Sequence, residues 1–132
     1  MKYLCLVYSD EKLLAGMTDD ECMEYDEAIR SSGTCLASEA LQPVRTSATV
    51  RVRNGAVTVT DGPFAETKEQ LAGFYLVDAA NHDEAIRVAS GIPPARVGCI
   101  EVRPIRELVS TTGKRRTYQA KQPITSRLRS TL

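Results

Sequence analysis

Apolar and polar residues alternate along Thr49-Val50-Arg51-Val52-Arg53 and again along Ala56-Val57-Thr58-Val59-Thr60, with Asn54-Gly55 between the two runs. A period of two puts the valines of each run on one face, and Asn-Gly suits the two left-handed positions of a type I′ turn, so a β-hairpin is predicted here. A first strand is expected over Lys2 to Tyr8, where aromatic and aliphatic residues precede the polar break Ser9-Asp10-Glu11. Beyond a short apolar piece, Leu13-Leu14-Ala15, the period becomes helical. Thr18 with Glu21 forms a capping box, Met17 can meet Cys22 as a hydrophobic staple, Cys22, Tyr25, Ala28 and Ile29 make one apolar stripe, and Gly33 closes the helix. Asp19, Asp20, Glu24 and Glu27 read as its solvated face, helped near the start by the helix dipole.

Thr34 to Leu41 is a further predicted strand, ended by Gln42-Pro43, and Leu71 to Val77 is another. Asn81 and Glu84 cap a second helix with Ala85, Ile86, Val88 and Ala89 as its apolar positions, stopped by Gly91 and Pro93. Gly98 to Arg103 is the last strand, closed by Pro104. The order is strand, helix, strand, hairpin, strand, helix, strand. Without the hairpin this is the β-α-β-β-α-β arrangement, an α+β fold of ferredoxin-like type with two helices on one face of a mainly antiparallel sheet. Two helices leave the other sheet face bare, so a homodimer joined sheet to sheet is expected.

Composition adds limits. The chain has 132 residues with 42% hydrophobic content, enough for one domain with its own core. No apolar run approaches the roughly 18 residues of a membrane span, and the N-terminal run lacks the length and cleavage site of a signal peptide, so a cytoplasmic protein is expected. Cys5, Cys22, Cys35 and Cys99 form no C-x-x-C pair and read as free, buried thiols. Charge divides the chain. Residues 1–108 carry 11 basic against 17 acidic residues, a net of −6, whereas residues 109–132 carry six basic and no acidic ones, a net of +6. We therefore place a folded domain over 1–108 and a basic extension over 109–132. Lys114, Arg115, Arg116, Lys121, Arg127 and Arg129 lack the aromatic interleaving of a nucleic-acid surface and are expected to lie on an acidic surface of the chain or its partner.

The candidate chemistry centres on Asp61-Gly62-Pro63-Phe64-Ala65-Glu66-Thr67-Lys68-Glu69. Gly62 and Pro63 break strand pairing, and four ionisable side chains then fall in one loop held by strands on both sides. Asp61, desolvated by Phe64 and a partner chain, could serve as a general base with Glu66 as a second proton carrier. The plainer alternatives are an Asp bonded to its own turn and an ion-pair set among Glu66, Lys68 and Glu69. Lys68 is a candidate for binding an anionic group. Glu101 and Arg103 share one face of the last strand, and if Ile100 and Val102 meet the helices, that face looks into a barrel interior. There they could pair with Arg51, Arg53 or the loop carboxylates, or hold a carboxylate ligand, and Tyr75 could add its phenol to the same cavity. No P-loop, dinucleotide fingerprint or metal-ligand spacing occurs, so no cofactor and no metal are expected. His82, the single histidine, reads as an exposed first-turn residue of the second helix.

The nine residues of that loop, with Gly33, Glu39-Ala40-Leu41, Gly73-Phe74-Tyr75-Leu76-Val77-Asp78, Asp83-Glu84-Ala85 and Glu101-Val102-Arg103-Pro104, resemble the DGPF group of the YCII-related proteins over about residues 1–107. The resemblance implies a dimeric α+β barrel of ferredoxin-like halves. It also implies a link to extracytoplasmic-function sigma factors, beside whose genes some members sit, and in the wider group activity on chlorinated aromatic compounds. A histidine–aspartate pair is suspected of catalysis there, and His82 does not match it. Three functions follow as expectations: binding of a small anionic or aromatic molecule near the 61–69 loop; cofactor-independent acid–base catalysis of isomerase or lyase type by Asp61 and Glu66, with Arg103 or Lys68 stabilising an anion; and regulatory interaction through the basic extension.

Overall fold

A computed structural model of the protein describes residues 1–116. Four strands, β1 (Lys2–Ser9), β2 (Cys35–Ala40), β5 (Gln70–Asp78) and β6 (Gly98–Pro104), form an antiparallel sheet in the order β2-β5-β1-β6. Helices α2 (Asp19–Ser31) and α3 (His82–Gly91) pack on it, preceded by a one-turn helix α1 (Glu11–Leu14) where only an apolar piece was expected. Strands β3 (Ala48–Arg53) and β4 (Ala56–Asp61) pair only with each other, as do the two-residue β7 (Leu108–Val109) and β8 (Arg115–Arg116). The protein is thus α+β. The expected boundary after residue 108 falls within the β7–β8 ladder, where Arg115 reaches Glu107 at 3.1 Å, while Lys121, Arg127 and Arg129 lie outside the described residues. Among the described residues no helix is long and apolar enough to cross a membrane.

The core follows from strand alternation. Tyr3, Cys5, Val7 and Ser9 of β1 all face the helices and are buried. Register sets Tyr75 and Val77 of β5 and Ile100 and Val102 of β6 beside them, and Ala85, Ala89 and Ile92 close the layer. Where β5 crosses β2 the backbones approach so closely that a Cβ on Gly73 would stand 2.8 Å from the Glu39 carbonyl oxygen. Helix α2 buries none of its residues fully; Tyr25 and Ile29 are the two that pack on the core, and the Tyr25 hydroxyl donates to the Val88 carbonyl at 2.6 Å, tying α2 to α3.

Several local expectations are refined. Thr18 accepts from the Glu21 amide at 3.4 Å, but the Glu21 carboxylate takes Arg96 at 2.8 Å instead of completing the box. Asn81 accepts from the Glu84 amide at 2.9 Å, and the Glu84 carboxylate takes the Ala80 amide at 3.0 Å. Ala28 and Ile86 are exposed although they fit the apolar period, because each helix touches the sheet along a stripe narrower than its apolar arc. Cys5 and Cys35 are buried free thiols and Cys22 is half-buried, but Cys99 is exposed, since its parity in β6 directs it to the helix-free side.

Candidate functional site: a groove beside α2

Between α2 and the β2–β5 edge lies a cavity of about 370 Å³, within the size range of small-molecule sites. Its helix wall comes from Asp19, Cys22, Met23, Asp26 and Arg30, which share one face because Cys22 and Met23 follow Asp19 by three and four residues, Asp26 follows Cys22 by four and Arg30 follows Asp26 by four. Leu14 and Met17 close one end, with Met17 Sδ 3.9 Å from Cys22 Sγ, and Val7, Gly73, Phe74 and Tyr75 line the sheet side.

A polar cluster sits in this largely apolar wall. Arg30 Nε donates to Asp26 Oδ2 at 2.8 Å, an i,i+4 pair within α2. Arg30 Nη2 donates to the Ser38 carbonyl at 3.1 Å and to Ser38 Oγ at 2.6 Å, while the Ser38 hydroxyl donates to Asp26 Oδ1 in a short bond. Ser38 is buried on the helix side because β2 carries a register shift between Cys35 and Ala37, which reverses the parity and turns both Cys35 and Ser38 inward. Arg30 Nη1 has no hydrogen-bond partner among the described residues.

Tyr75 stands next to this cluster. It packs edge-on against Tyr25 with centroids 6.2 Å apart, and its hydroxyl makes no hydrogen bond among the described residues. Burial first, then the Asp26 carboxylate, pushes the phenol pKa up, so Tyr75 stays protonated as a donor. Burial likewise raises the Cys22 thiol, reinforced by Asp19 and Glu21 against the opposing charge of Arg96. The groove therefore holds two unengaged donors, the Tyr75 hydroxyl and Arg30 Nη1, and no activated thiolate.

The residues expected from sequence to form the site are dispersed. Asp61 ends β4 opposite Ala48, exposed and without a side-chain hydrogen bond among the described residues, so neither desolvation within one chain nor the turn bond to its own backbone is realised. The turn is held otherwise. Gly62, at φ +103°, donates its N–H to Ser47 O at 2.8 Å and accepts from Thr49 Oγ1 at 2.8 Å. Phe64 is 83% exposed. Glu66 lines a shallow open hollow with Arg45 and Pro63, and among the described residues Glu66, Lys68 and Glu69 make no ion pair, so the expected set does not form within the chain. Glu101 and Arg103 do come together, at 2.5 Å, and not with Arg51 or Arg53.

Tyr75 requires a correction. It sits opposite Cys5 on the helix side, whereas Glu101 and Arg103 sit opposite Leu6 and Leu4 on the other side, so they cannot share a cavity within one chain. Parity along one strand does not tell which face its neighbours present; only the register does. His82 is the first, exposed residue of α3, with its ring 6.1 Å from that of Tyr3. Asp26, Arg30 and Ser38 escaped the sequence reading. The i,i+4 Asp–Arg pair was a visible signal, but the register shift that brings Ser38 to it was not.

Residues 1–109 match the YCII-related domain. The chain is also similar to an uncharacterised protein of Rhizobium meliloti (strain 1021), 39% identical over 114 residues that cover 80% of this chain and 92% of that one. With the domain match spanning nearly all of the described residues and that identity running along most of both chains, the protein belongs to the YCII-related family.

Proposed function

We propose that this YCII-related protein binds a small molecule with an apolar or aromatic body and an anionic group, seated in the groove between α2 and the β2–β5 edge. One observation carries this: two unspent donors, Arg30 Nη1 and the Tyr75 hydroxyl, border a cavity walled mainly by apolar and sulfur side chains. An anion there gains charge-assisted bonds while its body covers Leu14, Met17 and Met23. The Asp26 and Ser38 bonds already made hold the guanidinium in place, so its ordering need not accompany binding. Acid–base catalysis by Asp61 and Glu66 has no such support, since both are exposed and unpartnered among the described residues.

With this goes a ferredoxin-like half and a cytoplasmic homodimer. Strand order β2-β5-β1-β6 with helices on one face supports that topology, and the bare opposite face, with half-buried Leu4, Leu6 and Phe74, supports pairing of two chains. A role beside an extracytoplasmic-function sigma factor fits a protein that senses such a molecule. The binding test is a calorimetric titration with benzoate. Wild-type protein and Asp61→Asn should bind equally, while Arg30→Met and Tyr75→Phe, confirmed folded by circular dichroism, should each bind at least several-fold more weakly. Loss of binding in Asp61→Asn with Arg30→Met unaffected would overturn the proposal.

A further inference from the structure

We infer that the apolar body of the ligand is an unbranched alkyl chain of about eight carbons, so that the groove takes a medium-chain monocarboxylate. The inference deepens the binding reading above and rests on it for the place of the anionic group. Ser38 stands opposite Tyr75 in the β2–β5 ladder, which puts the Arg30 and Tyr75 donors at one end of the groove. Tyr75 is only 8% exposed, and among the described residues no fully sealed side-chain polar atom lacks a partner, so its unbonded hydroxyl faces the open space of the cavity. The other end is fixed by how the chain connects. β1 leaves the sheet at Ser9, opposite Gln70, and the turn that follows brings Leu14 and Met17 to the start of α2.

Two elements measure the distance between these ends. Along the helix wall, Asp26 to Asp19 is seven residues at about 1.5 Å each, roughly 10 Å. Along the sheet, Tyr75 to Ala72 is three residues at about 3.3 Å each, again roughly 10 Å. An extended alkyl chain built from zigzag bonds of about 1.5 Å advances about 1.3 Å per carbon, so about eight carbons span the groove. A benzoate ring held by the same carboxylate ends less than half way.

The lining along that span selects a chain over a ring. Tyr75 is the one ring on the helix side of the described lining, since Phe74, opposite Leu6, turns to the other face. Beyond it stand Met23, Cys22, Met17 and Leu14, with Ala40 and Ala72 along the sheet. Thioethers are flexible and mould themselves to a chain lying between them, while an aromatic body finds no ring there to stack on. Burial, reinforced by Asp19 and Glu21, keeps the Cys22 thiol protonated, so it counts with the apolar wall. At the far end Asp19 has no ion pair among the described residues, and its carboxylate opposes a second acid group on the tail.

The test is calorimetric titration of wild-type protein with straight-chain acids from butanoate to dodecanoate, each below its micelle concentration. Affinity should rise about two- to four-fold per methylene, at least tenfold between butanoate and octanoate, and level off by dodecanoate. Octanoate should bind at least several-fold more tightly than benzoate. Benzoate bound through Arg30 with no gain from butanoate to octanoate overturns the chain and leaves the groove reading standing. No binding of benzoate or of any acid, or binding indifferent to Arg30→Met, overturns both. A gain that continues without a break through dodecanoate overturns the inference as well, because it reports adsorption instead of a fitted length. Leu14→Asp, confirmed folded by circular dichroism, should cut the octanoate-to-butanoate affinity ratio at least fivefold, and an unchanged ratio overturns the chain. Octanedioate on wild-type protein decides the matter should that variant fail to fold. It should bind at least tenfold more weakly than octanoate, and equal binding overturns the inference.

Discussion

The 61–69 loop and the groove beside α2 make opposite use of their charged residues. Asp61, Glu66, Lys68 and Glu69 stand in solvent without an ion pair among the described residues, and the loop keeps its shape through the bonds of Gly62 to Ser47 and Thr49. Asp26 and Arg30, with Ser38, are locked together by four hydrogen bonds and ion-pair contacts. A run of unusual residues can therefore record what a backbone needs to turn, while a buried polar cluster is assembled from ordinary residues brought together by helix spacing and strand register.

Substitutions should separate the two regions, the largest effect coming from the floor of the groove. Gly73→Ala puts a Cβ 2.8 Å from the Glu39 carbonyl oxygen in the middle of a ladder, an overpacking that costs about 1–3 kcal/mol or more. Urea unfolding should register that loss, against about 1–2 kcal/mol for Gly62→Ala, where the strain is confined to one left-handed position. Asp26→Ala removes the acceptor of both Ser38 and Arg30 and should lower stability by about 1–3 kcal/mol. Asp61→Asn should change it by less than about 0.5 kcal/mol.

Alkaline pH probes the packed side through its buried thiol. Burial, with a smaller contribution from Cys35, pushes the Cys5 thiol from 9.0 up to about 11. A raised thiol pKa favours the folded state fully below pH 9 and loses that contribution as pH climbs through 11, because the unfolded chain ionises first. Stability should fall by on the order of 2 kcal/mol across that window, with Tyr75 acting in the same sense at still higher pH. Denaturant melts of wild type and Cys5→Ala at pH 8 to 11 check this, the variant giving the flatter profile. A smaller effect is expected at the groove mouth, where Met23→Ala should weaken benzoate by a few-fold through lost apolar cover alone.

Much of the fold was legible. Period-two runs, the Asn54-Gly55 turn and the Thr18 and Asn81 caps each rest on interactions within a few residues, and those interactions formed. The site was less so. Glu101 and Arg103 were rightly set on one face of β6, yet the partner strand's register sends Tyr75 to the other side. Ser38 joins Asp26 only through the shift in β2 pairing, a long-range feature with no local signature, and the exposure of Ala28 and Ile86 depends on how far each helix lies over the sheet.

The proposal that the groove beside α2 binds a small molecule is tested most directly by amide chemical shifts during a benzoate titration of isotopically labelled protein. Perturbations centred on Arg30, Ser38 and Tyr75, with residues 61–69 unmoved, are the predicted result. Shifts confined to residues 61–69, with the α2 face silent, would contradict it.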